Sequence, residues 1–406
     1  METETLSTRT DGFLEEAERY SANNYKPLYV VLDRAEGVWV WDVDGRRYLD
    51  MLSAYSALNQ GHRHPAIIRA AKAQLDRVTL TSRAFHNDQM GPFLRELCDA
   101  TGYEQALPMN TGAEAVETAI KLTRKWGYQK KGVAAGKAEI IVCRNNFHGR
   151  TTTIVGFSSE PQYKEGFGPF APGFRTVPFG DGDALAAAIN ENTVGVLFEP
   201  IQGEGGVLLP PDGWLRRIRE LCDRNRVLMM ADEIQTGLGR TGRMFACDWE
   251  DVRPDVLMVG KALGGGVYPV SAVIADTEFM DVFRPGDHGS TFGGNPLAAA
   301  IGRASLQVIL DEGLAERADD IGKWFMDELR RIASPHVLEV RGRGLLIGVE
   351  IKESSGTARP YCEALKERGI LAKETHGQVI RFAPPLIIER PVLEEALEDI
   401  AQVLNG

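Results

Sequence analysis

The chain has 406 residues, and at roughly 150 residues per domain this length predicts two or three packed units. Its hydrophobic fraction of 43% and charged fraction of 25% are those of a globular protein. The formal charge of −11 gives no electrostatic support to nucleic-acid binding, and five scattered cysteines indicate neither a disulfide framework nor a zinc site.

The N-terminal residues are acidic and contain no apolar stretch, so they resemble neither a secretory signal nor an Arg-rich transit peptide. No run of residues approaches the 18 apolar positions of a membrane span. We therefore expect a soluble, cytoplasmic protein with no membrane partner.

Further on, the alternating segment 38–49 breaks at Asp44 and Gly45, a pair typical of a hairpin turn, which predicts an N-terminal antiparallel hairpin.

From about residue 100, short apolar runs alternate with helical stretches such as Trp214–Arg224. Buried strands that alternate with helices predict an α/β fold built on a mostly parallel sheet. The runs are Ile140–Cys143, Val194–Phe198, Val227–Ala231 and Val256–Val259.

After Asn295 and Pro296 the pattern predicts one helical stretch over about 297–333, a strand pair around 341–344 and a helix to Gly369. A strand at Val379–Phe382 and a last helix follow. This part is typical of a separate, smaller α+β unit. We predict an N-terminal segment over 1–50, a large α/β domain over 51–296 and a small C-terminal domain over 297–406.

Three features in the large domain point to one kind of chemistry. Lys261 follows a buried strand, where a lysine suits Schiff-base chemistry, although a single such lysine could equally reach solvent. Asp232 ends another apolar strand and is a candidate partner for a protonated ring nitrogen. Thr111 and Glu114 form a capping box that opens a helix, and the amides at such a start can bind phosphate. Together these features match pyridoxal 5'-phosphate (PLP).

Six sequence motifs resemble those of a known family, and the resemblance as a whole extends from residue 25 to residue 381. The chain resembles the fold-type I, class III (ω-amino acid) aminotransferases. The likeness implies a large PLP-binding domain, a smaller C-terminal domain and a PLP-dependent aminotransferase activity. The motifs are NTGAEA at 110–115, FHGR at 147–150, EPIQGE at 199–204, ADEIQTG at 231–237, GKALGG at 260–265 and GSTFGGNP at 289–296.

The resemblance implies a role for each residue around the cofactor ring. Lys261 would hold PLP covalently and then shuttle a proton, while Asp232 would hold the ring nitrogen. Phe147 would stack on the ring, and Gln235 would bind its hydroxyl group. His148 stands where some relatives carry Trp, and it could contact the substrate or only pack.

The resemblance also implies a phosphate site made by two subunits. The amides of Gly112 and Ala113 would bind the phosphate, although many relatives carry Val at position 113. Thr291 would complete the site from the second subunit. The protein is therefore expected to be a homodimer, or a higher assembly, with shared active sites.

For the substrates, the resemblance implies that Tyr25 and Arg150 grip the α-amino and α-carboxylate groups of the donor, with Tyr55 lining the pocket. A guanidinium suits this grip because it binds a carboxylate through two parallel hydrogen bonds. Glu204 and Arg381 resemble a switch pair that is closed for the ω-amine and opens so that Arg381 takes the 2-oxo acid. Without the resemblance, Arg381 would read as an ordinary edge arginine.

The expected partners are thus a small amino acid and a small 2-oxo acid. The implied reaction is ping-pong transfer of the δ-amino group of L-ornithine to 2-oxoglutarate, as in proline biosynthesis or arginine degradation. Its products are glutamate and glutamate 5-semialdehyde, which cyclises to pyrroline-5-carboxylate. Alternatives are a class III enzyme with N-acetylornithine, 4-aminobutyrate or lysine as donor, or an aminomutase or epimerase.

Three other motifs resemble known ligand sites. Residues 237–242 match G-x-G-x-x-G, which would suggest a nicotinamide dehydrogenase, but no helical pattern follows them, so we predict a glycine-rich surface loop. Residues 132–138 resemble a phosphate-binding loop with one residue too few and no Ser or Thr for magnesium. His62 and His64 lack a third metal ligand nearby and suit a turn before Pro65, so no metal site is expected. A non-catalytic binding module has little support.

Overall fold

The computed structural model describes residues 9–406, so residues 1–8 of the predicted N-terminal segment lie outside the described residues. The strands form one seven-stranded sheet and two four-stranded sheets. They are β1 Leu32–Glu36, β2 Trp39–Asp42, β3 Arg47–Asp50, β4 Gln105–Met109, β5 Glu139–Cys143, β6 Phe174–Val177, β7 Thr193–Phe198, β8 Leu228–Asp232, β9 Val256–Val259, β10 Ser271–Ala275, β11 Val337–Arg343, β12 Leu346–Ile351, β13 Ile370–Leu371, β14 Lys373–Thr375 and β15 Val379–Phe382.

Helices cover the sheets and connect most of their strands. Among the described residues, no helix is long and apolar enough to cross a membrane. The helices are α1 Arg9–Tyr20, α2 Ser53–Ser56, α3 Pro65–Leu75, α4 Met90–Thr101, α5 Gly112–Trp126, α6 Thr152–Gly156, α7 Pro161–Lys164, α8 Gly182–Ala188, α9 Trp214–Asn225, α10 Thr277–Met280, α11 Pro296–Asp311, α12 Leu314–Arg331, α13 Arg359–Glu367 and α14 Arg390–Asn405.

The large sheet has the order β4-β10-β9-β8-β7-β5-β6 and confirms the α/β fold. The five strands from β9 to β6 run parallel, and β10 pairs antiparallel with both β9 and β4. Every residue of β7 and β8 is buried, as their continuous apolar runs predict for a sheet covered on both faces. Alternate side chains enter two cores, one shared with α5 and the other with α9.

The parallel strands place four chain segments at one edge of the large sheet. Strands β9, β8, β7 and β5 are neighbours, so the residues that follow them emerge side by side at the carboxyl edge. In open α/β sheets this edge is where ligands bind. The helix α5 packs across β7 to β10, which brings its N-terminus to the same edge.

The N-terminal hairpin is confirmed. Strands β2 and β3 pair antiparallel, and Gly45 between them has a φ of +87°, which suits glycine. The strand β13, from the C-terminal part of the chain, pairs parallel to β3 and completes this sheet. The N-terminal segment is thus tied to the C-terminal part, and the exact division into three units stays a prediction.

The C-terminal sheet has the order β11-β12-β15-β14, with antiparallel pairing throughout. The strand pair around residue 342 and the strand Val379–Phe382 are confirmed. The prediction of one helix over about 297–333 is wrong, because Gly313 has a left-handed φ of +57° and separates α11 from α12. Arg381 lies on an inner strand and is 1% exposed, so it is not an edge arginine.

Residues 237–242 form a loop as predicted, but the prediction of a surface position is wrong, because all six residues are buried. Arg240 in this loop donates hydrogen bonds to the carbonyls of Leu345 and Pro384 at 2.9 and 2.6 Å, and to Asn59 Oδ1 at 2.6 Å. The loop therefore joins the large sheet to the C-terminal sheet. Glycine at position 344 allows this close approach, because a Cβ there would lie 2.5 Å from backbone atoms of the loop.

Candidate active site

Two joined cavities lie at the carboxyl edge of the large sheet. The inner cavity has a volume of about 190 Å³, and the outer one has about 280 Å³. Phe147 and Glu204 line both cavities and mark their junction. Six of the predicted cofactor residues line the inner cavity: Gly112, Ala113, Phe147, Asp232, Gln235 and Lys261.

Asp232 stands at the end of β8 and is 5% exposed. One of its carboxylate oxygens accepts a hydrogen bond from the amide of Ile234 at 3.1 Å, and the other lies 2.7 Å from Nδ1 of His148. The imidazole is also buried, and its Nε2 has no partner among the described residues. Two contacts thus fix the orientation of this carboxylate toward the inner cavity.

Lys261 follows β9 and has a left-handed φ of +44°, a conformation that costs a non-glycine residue energy and is common at functional sites. Burial lowers the pKa of its amine, and the charge of Arg381 acts in the same direction. Glu204, Asp232 and Glu199 partly offset this effect. A lysine with a lowered pKa has more of the neutral, nucleophilic form at a given pH.

Glu204 and Arg381 form an ion pair at the junction of the cavities. Nη1 of Arg381 lies 2.5 Å from Oε1 of Glu204, and the Gln235 amide donates to the same oxygen at 3.1 Å. Burial alone would raise the pKa of Glu204, but Arg381, Lys261 and these hydrogen bonds outweigh it and lower that pKa to about 2. The pair is therefore charged and closed in this structure.

The N-terminus of α5 forms one wall of the inner cavity. The predicted capping box is confirmed: Thr111 accepts from the Glu114 amide at 3.3 Å, and Glu114 accepts from the Thr111 amide at 2.8 Å. The box leaves the amides of Gly112 and Ala113 outside its hydrogen bonds. A Cβ on Gly112 would lie 3.0 Å from the Ile234 side chain, so glycine suits this tight wall.

The outer cavity is lined by Tyr25 and Tyr55, as predicted, and by Tyr163. Tyr25 is 70% exposed and stands at the rim. The guanidinium of Arg381 lies 4.9 Å from the centre of the Tyr55 ring. Residues 53–56 all have positive φ, a left-handed turn without glycine that holds Tyr55 in a strained backbone.

Arg150 is exposed, and its guanidinium lies 4.0 Å from the centre of the Tyr163 ring and 5.7 Å from that of Phe147. This cation–π stack places a positive charge beside the outer cavity. Thr291 is exposed and lines neither cavity of its own chain. Arg150 and Arg381 line neither cavity themselves, but each contacts a residue that does, whereas no such contact brings Thr291 to the site of its own chain.

Sequence reasoning assigned no role to Glu199, and it left the contact of His148 open. Glu199 follows β7, is 6% exposed, and accepts a hydrogen bond from the Phe147 amide at 2.9 Å. Burial and the charge of Asp232 raise its pKa well above the usual range of a glutamate. The signal that singled out Asp232, an acid directly after a buried strand, is also present at Glu199.

Comparison with known proteins places this site in a family. Residues 20–404 match the model of the class III aminotransferases. The chain is 59% identical over 398 residues to ornithine aminotransferase 2 of Staphylococcus aureus, which covers 98% of this chain and 100% of that protein.

Solved structures show the same likeness. The ornithine aminotransferase of Toxoplasma gondii is 45% identical, with a TM-score of 0.96 and coverage of 98% of this chain and 95% of that one. In that structure PLP partly occupies the active site. The acetylornithine aminotransferase of Elizabethkingia anophelis is 46% identical, with a TM-score of 0.89 and coverage of 98% and 99%.

The chain belongs to the class III aminotransferases, a family of PLP-dependent enzymes. The functional groups that line the inner cavity fit this cofactor. A buried amine can bind an aldehyde, a buried carboxylate can hold a ring nitrogen, and the start of a 15-residue helix can bind a phosphate. In addition, Oε1 of Gln235 is buried without a partner among residues 9–406, which leaves an acceptor for a hydroxyl group.

Proposed function

We propose that the protein transfers the δ-amino group of L-ornithine to 2-oxoglutarate by a ping-pong reaction. Its products are glutamate and glutamate 5-semialdehyde, which closes to pyrroline-5-carboxylate. The observation that carries this proposal is that Lys261 and Asp232 line the inner cavity and that Glu204, which lines both cavities, is paired with Arg381. The identity of 59% to an ornithine aminotransferase over nearly the whole chain supports the choice of donor.

When bound, PLP supplies an electrophilic carbon for an amine and an electron sink for negative charge on the substrate. We assign the binding of the cofactor and the proton transfer to residues of the inner cavity. Nζ of Lys261 would hold the cofactor and, once released, move a proton at the reacting carbon. Asp232, oriented by His148, would keep a proton on the ring nitrogen. Phe147 would pack on the ring, and Gln235 would bind its hydroxyl group.

The phosphate would lie at the start of α5, against the amides of Gly112 and Ala113. Free amides and the helix dipole favour an anion at that position. Thr291 would complete the phosphate site of a second copy of the chain, because it is exposed and lies outside its own cavities. We therefore propose a homodimer with shared sites, located in the cytoplasm.

The outer cavity would distinguish the two ends of ornithine. Arg150 would bind the α-carboxylate and Tyr25 the α-amino group, so that the δ-amino group points inward. Glu204 would keep Arg381 occupied during this half of the reaction. In the second half, Arg381 would bind the α-carboxylate of 2-oxoglutarate after the ion pair opens. One cavity can then accept two substrates of different charge.

The test is turnover with 2-oxoglutarate and one of three donors: L-ornithine, N-acetylornithine or 4-aminobutyrate. We expect ornithine to give the highest kcat/KM, since only ornithine presents both a free α-amino group and an α-carboxylate. Replacing Tyr25 by alanine should shift the preference toward 4-aminobutyrate, which has no α-amino group. A clear preference of the wild type for N-acetylornithine or 4-aminobutyrate would contradict the proposed donor.

A further inference from the structure

The segment between α10 and α11, residues 281–295, is a loop with an exposed crest. Residues 289–292 form this crest, with Ser290 half-buried and Phe292 46% exposed. Thr291 therefore stands on a part of the chain that its own core does not hold. Its position must be set by hydrogen bonds from neighbouring residues of the loop.

Before Thr291, the side-chain hydrogen bonds of this loop lead mainly to the helix α5. Lys121 and Lys125 on this helix donate to Asp287, and Lys125 also forms an ion pair with its carboxylate. Within the crest, Nδ2 of Asn110, just before α5, donates to Oγ of Ser290 at 2.9 Å. The chain that leads to Thr291 is thus held by α5 and by the residue just before its capping box.

His288 lies at the centre of this attachment, and its hydrogen-bond partners determine which ring nitrogen carries the proton. Oγ1 of Thr118 donates to the carbonyl of Glu114 at 2.7 Å, so it must accept from Nε2 of His288, which lies 2.8 Å away. The ammonium of Lys121 donates to Nδ1 at 2.9 Å. The ring is therefore neutral with its proton on Nε2. Burial lowers the pKa of His288, as does the charge of Lys121, while Glu114 opposes this.

The ring of Phe283 stacks on His288, with 5.7 Å between ring centres and 20° between ring planes. His288 is thus held by two hydrogen bonds and one ring contact, three residues before Thr291. The same helix α5 presents the amides of Gly112 and Ala113 at its start. Residues further along α5 hold the loop that would serve the second copy, and its N-terminus would bind the phosphate of its own site.

We propose that His288 is a positioning residue for the cofactor phosphate, acting through Thr291 on the site of the partner copy. This inference rests on the proposed function, which supplies both PLP and the shared site. His288 itself touches neither cavity. Without its bonds to Lys121 and Thr118 the crest would lose its central attachment, and the hydroxyl group of Thr291 would no longer be held in place.

The first test is cofactor affinity of the apo-protein, measured by absorbance titration with PLP and with pyridoxal, which lacks the phosphate. His288→Phe keeps a ring beside Phe283 but removes both hydrogen bonds. We expect its Kd for PLP to rise about tenfold, as for the loss of about 1.4 kcal/mol, and its Kd for pyridoxal to stay unchanged. An unchanged Kd for PLP, or an equal loss for pyridoxal, would overturn the proposal.

Two further variants complete this test. Lys121→Met removes the donor to Nδ1 of His288 together with its longer hydrogen bond to the Asp287 carbonyl. It should weaken PLP binding in the same selective way if His288→Phe does not fold. His336→Phe is the matched control, because His336 is also half-buried and bonds a hydroxyl group, that of Ser355 at 2.9 Å. It lies on the C-terminal part and should leave both affinities unchanged. A loss of PLP affinity in the control equal to that in His288→Phe would overturn the assignment.

Hybrid dimers separate an effect on the partner from an effect within the chain. One chain carries His288→Phe, and the other carries Lys261→Ala with His288 intact. The remaining lysine site then receives Thr291 from the intact crest, so its PLP affinity should equal that of the wild type. Affinity as weak as in the His288→Phe homodimer would overturn the proposal.

The proposed function and this inference can fail separately. Wild-type protein that binds PLP but does not turn over ornithine refutes the proposed donor and leaves the affinity test valid. A wild type that sediments as a monomer refutes the shared site, and with it the role of His288.

Discussion

Replacing Glu204 by glutamine removes the charge that holds Arg381 while it keeps the size of the side chain. The pKa of Glu204 falls from 4.5 to about 2 in the folded protein, which corresponds to about 3 kcal/mol in favour of the carboxylate. Arg381 provides the largest favourable share, and Lys261 and Gln235 provide the rest. We assign about 2 kcal/mol to the charge of the ion pair, a factor of roughly 30.

This energy is what an α-carboxylate must overcome to bind Arg381 in place of Glu204. In Glu204→Gln the competition is weaker, so ornithine can bind with its α-carboxylate at Arg381 and its α-amino group inward. We expect the ratio of δ-transfer to α-transfer to fall about tenfold or more. Glutamate, which uses Arg381 in either case, should keep its kcat or improve its KM.

The assay is product analysis after incubation with ornithine and 2-oxoglutarate. Transfer of the δ-amino group gives pyrroline-5-carboxylate, whereas transfer of the α-amino group gives the isomeric cyclic 2-imino acid. The matched control is Glu96→Gln, because Glu96 also pairs with an arginine, Arg303 at 2.8 Å, and is similarly exposed, but lies outside both cavities. If Glu204→Gln keeps the wild-type ratio of products, the ion pair does not set which amino group reacts.

Three further predictions concern His148, Arg240 and the effect of Glu204 on Lys261. His148→Phe leaves Asp232 with one of its two fixed partners, and we expect kcat to fall about tenfold with a changed absorption spectrum of the bound cofactor and little change in Tm. A Tm that falls in step with kcat would mean that His148 only supports the fold. Arg240→Met leaves three buried acceptors unpaired, which should lower the free energy of unfolding by about 3–5 kcal/mol, measured by urea titration. A loss under 1 kcal/mol would contradict this account. The negative charge of Glu204 raises the pKa of Lys261, so in Glu204→Gln that pKa should fall further, and the pH profile for loading PLP onto the apo-protein should move to lower pH. A profile that moves to higher pH would show that the sign is wrong.

Local sequence patterns were sufficient for much of the fold. The apolar runs of β5, β7, β8 and β9 and the capping box of α5 depend on residues close together in the chain, so their positions were predicted within one or two residues. The break between α11 and α12 was missed, although Gly313 is a local signal. One glycine in a long apolar and charged pattern is compatible with a continuous helix.

Contacts between distant segments could not be predicted in this way. Residues 237–242 contain glycines and polar side chains, a composition typical of exposed loops, yet Arg240 buries them by bonding carbonyls more than 100 positions away. Likewise, nothing near Arg381 in the chain places it opposite Glu204. Arg381 was identified through the family resemblance, and only the folded structure shows that the two side chains are in contact.

The roles of Glu199 and His148 show the same limit. Each stands in a motif that was recognised, but what each does depends on the side chains around it. His148 meets Asp232 only because β5 and β8 end at the same edge of the sheet, and the pKa of Glu199 is raised because Asp232 lies beside it. Strand order therefore decides which of several polar residues act together.

The central claim, transfer of the δ-amino group of ornithine at the Lys261 site, is tested most directly with a nitrogen label. Ornithine labelled with ¹⁵N at the δ position only is incubated with 2-oxoglutarate and the wild-type protein, and glutamate is examined by mass spectrometry. We predict that each new glutamate carries the label and that Lys261→Ala forms none. Unlabelled new glutamate, or labelled glutamate formed by Lys261→Ala, would contradict the account.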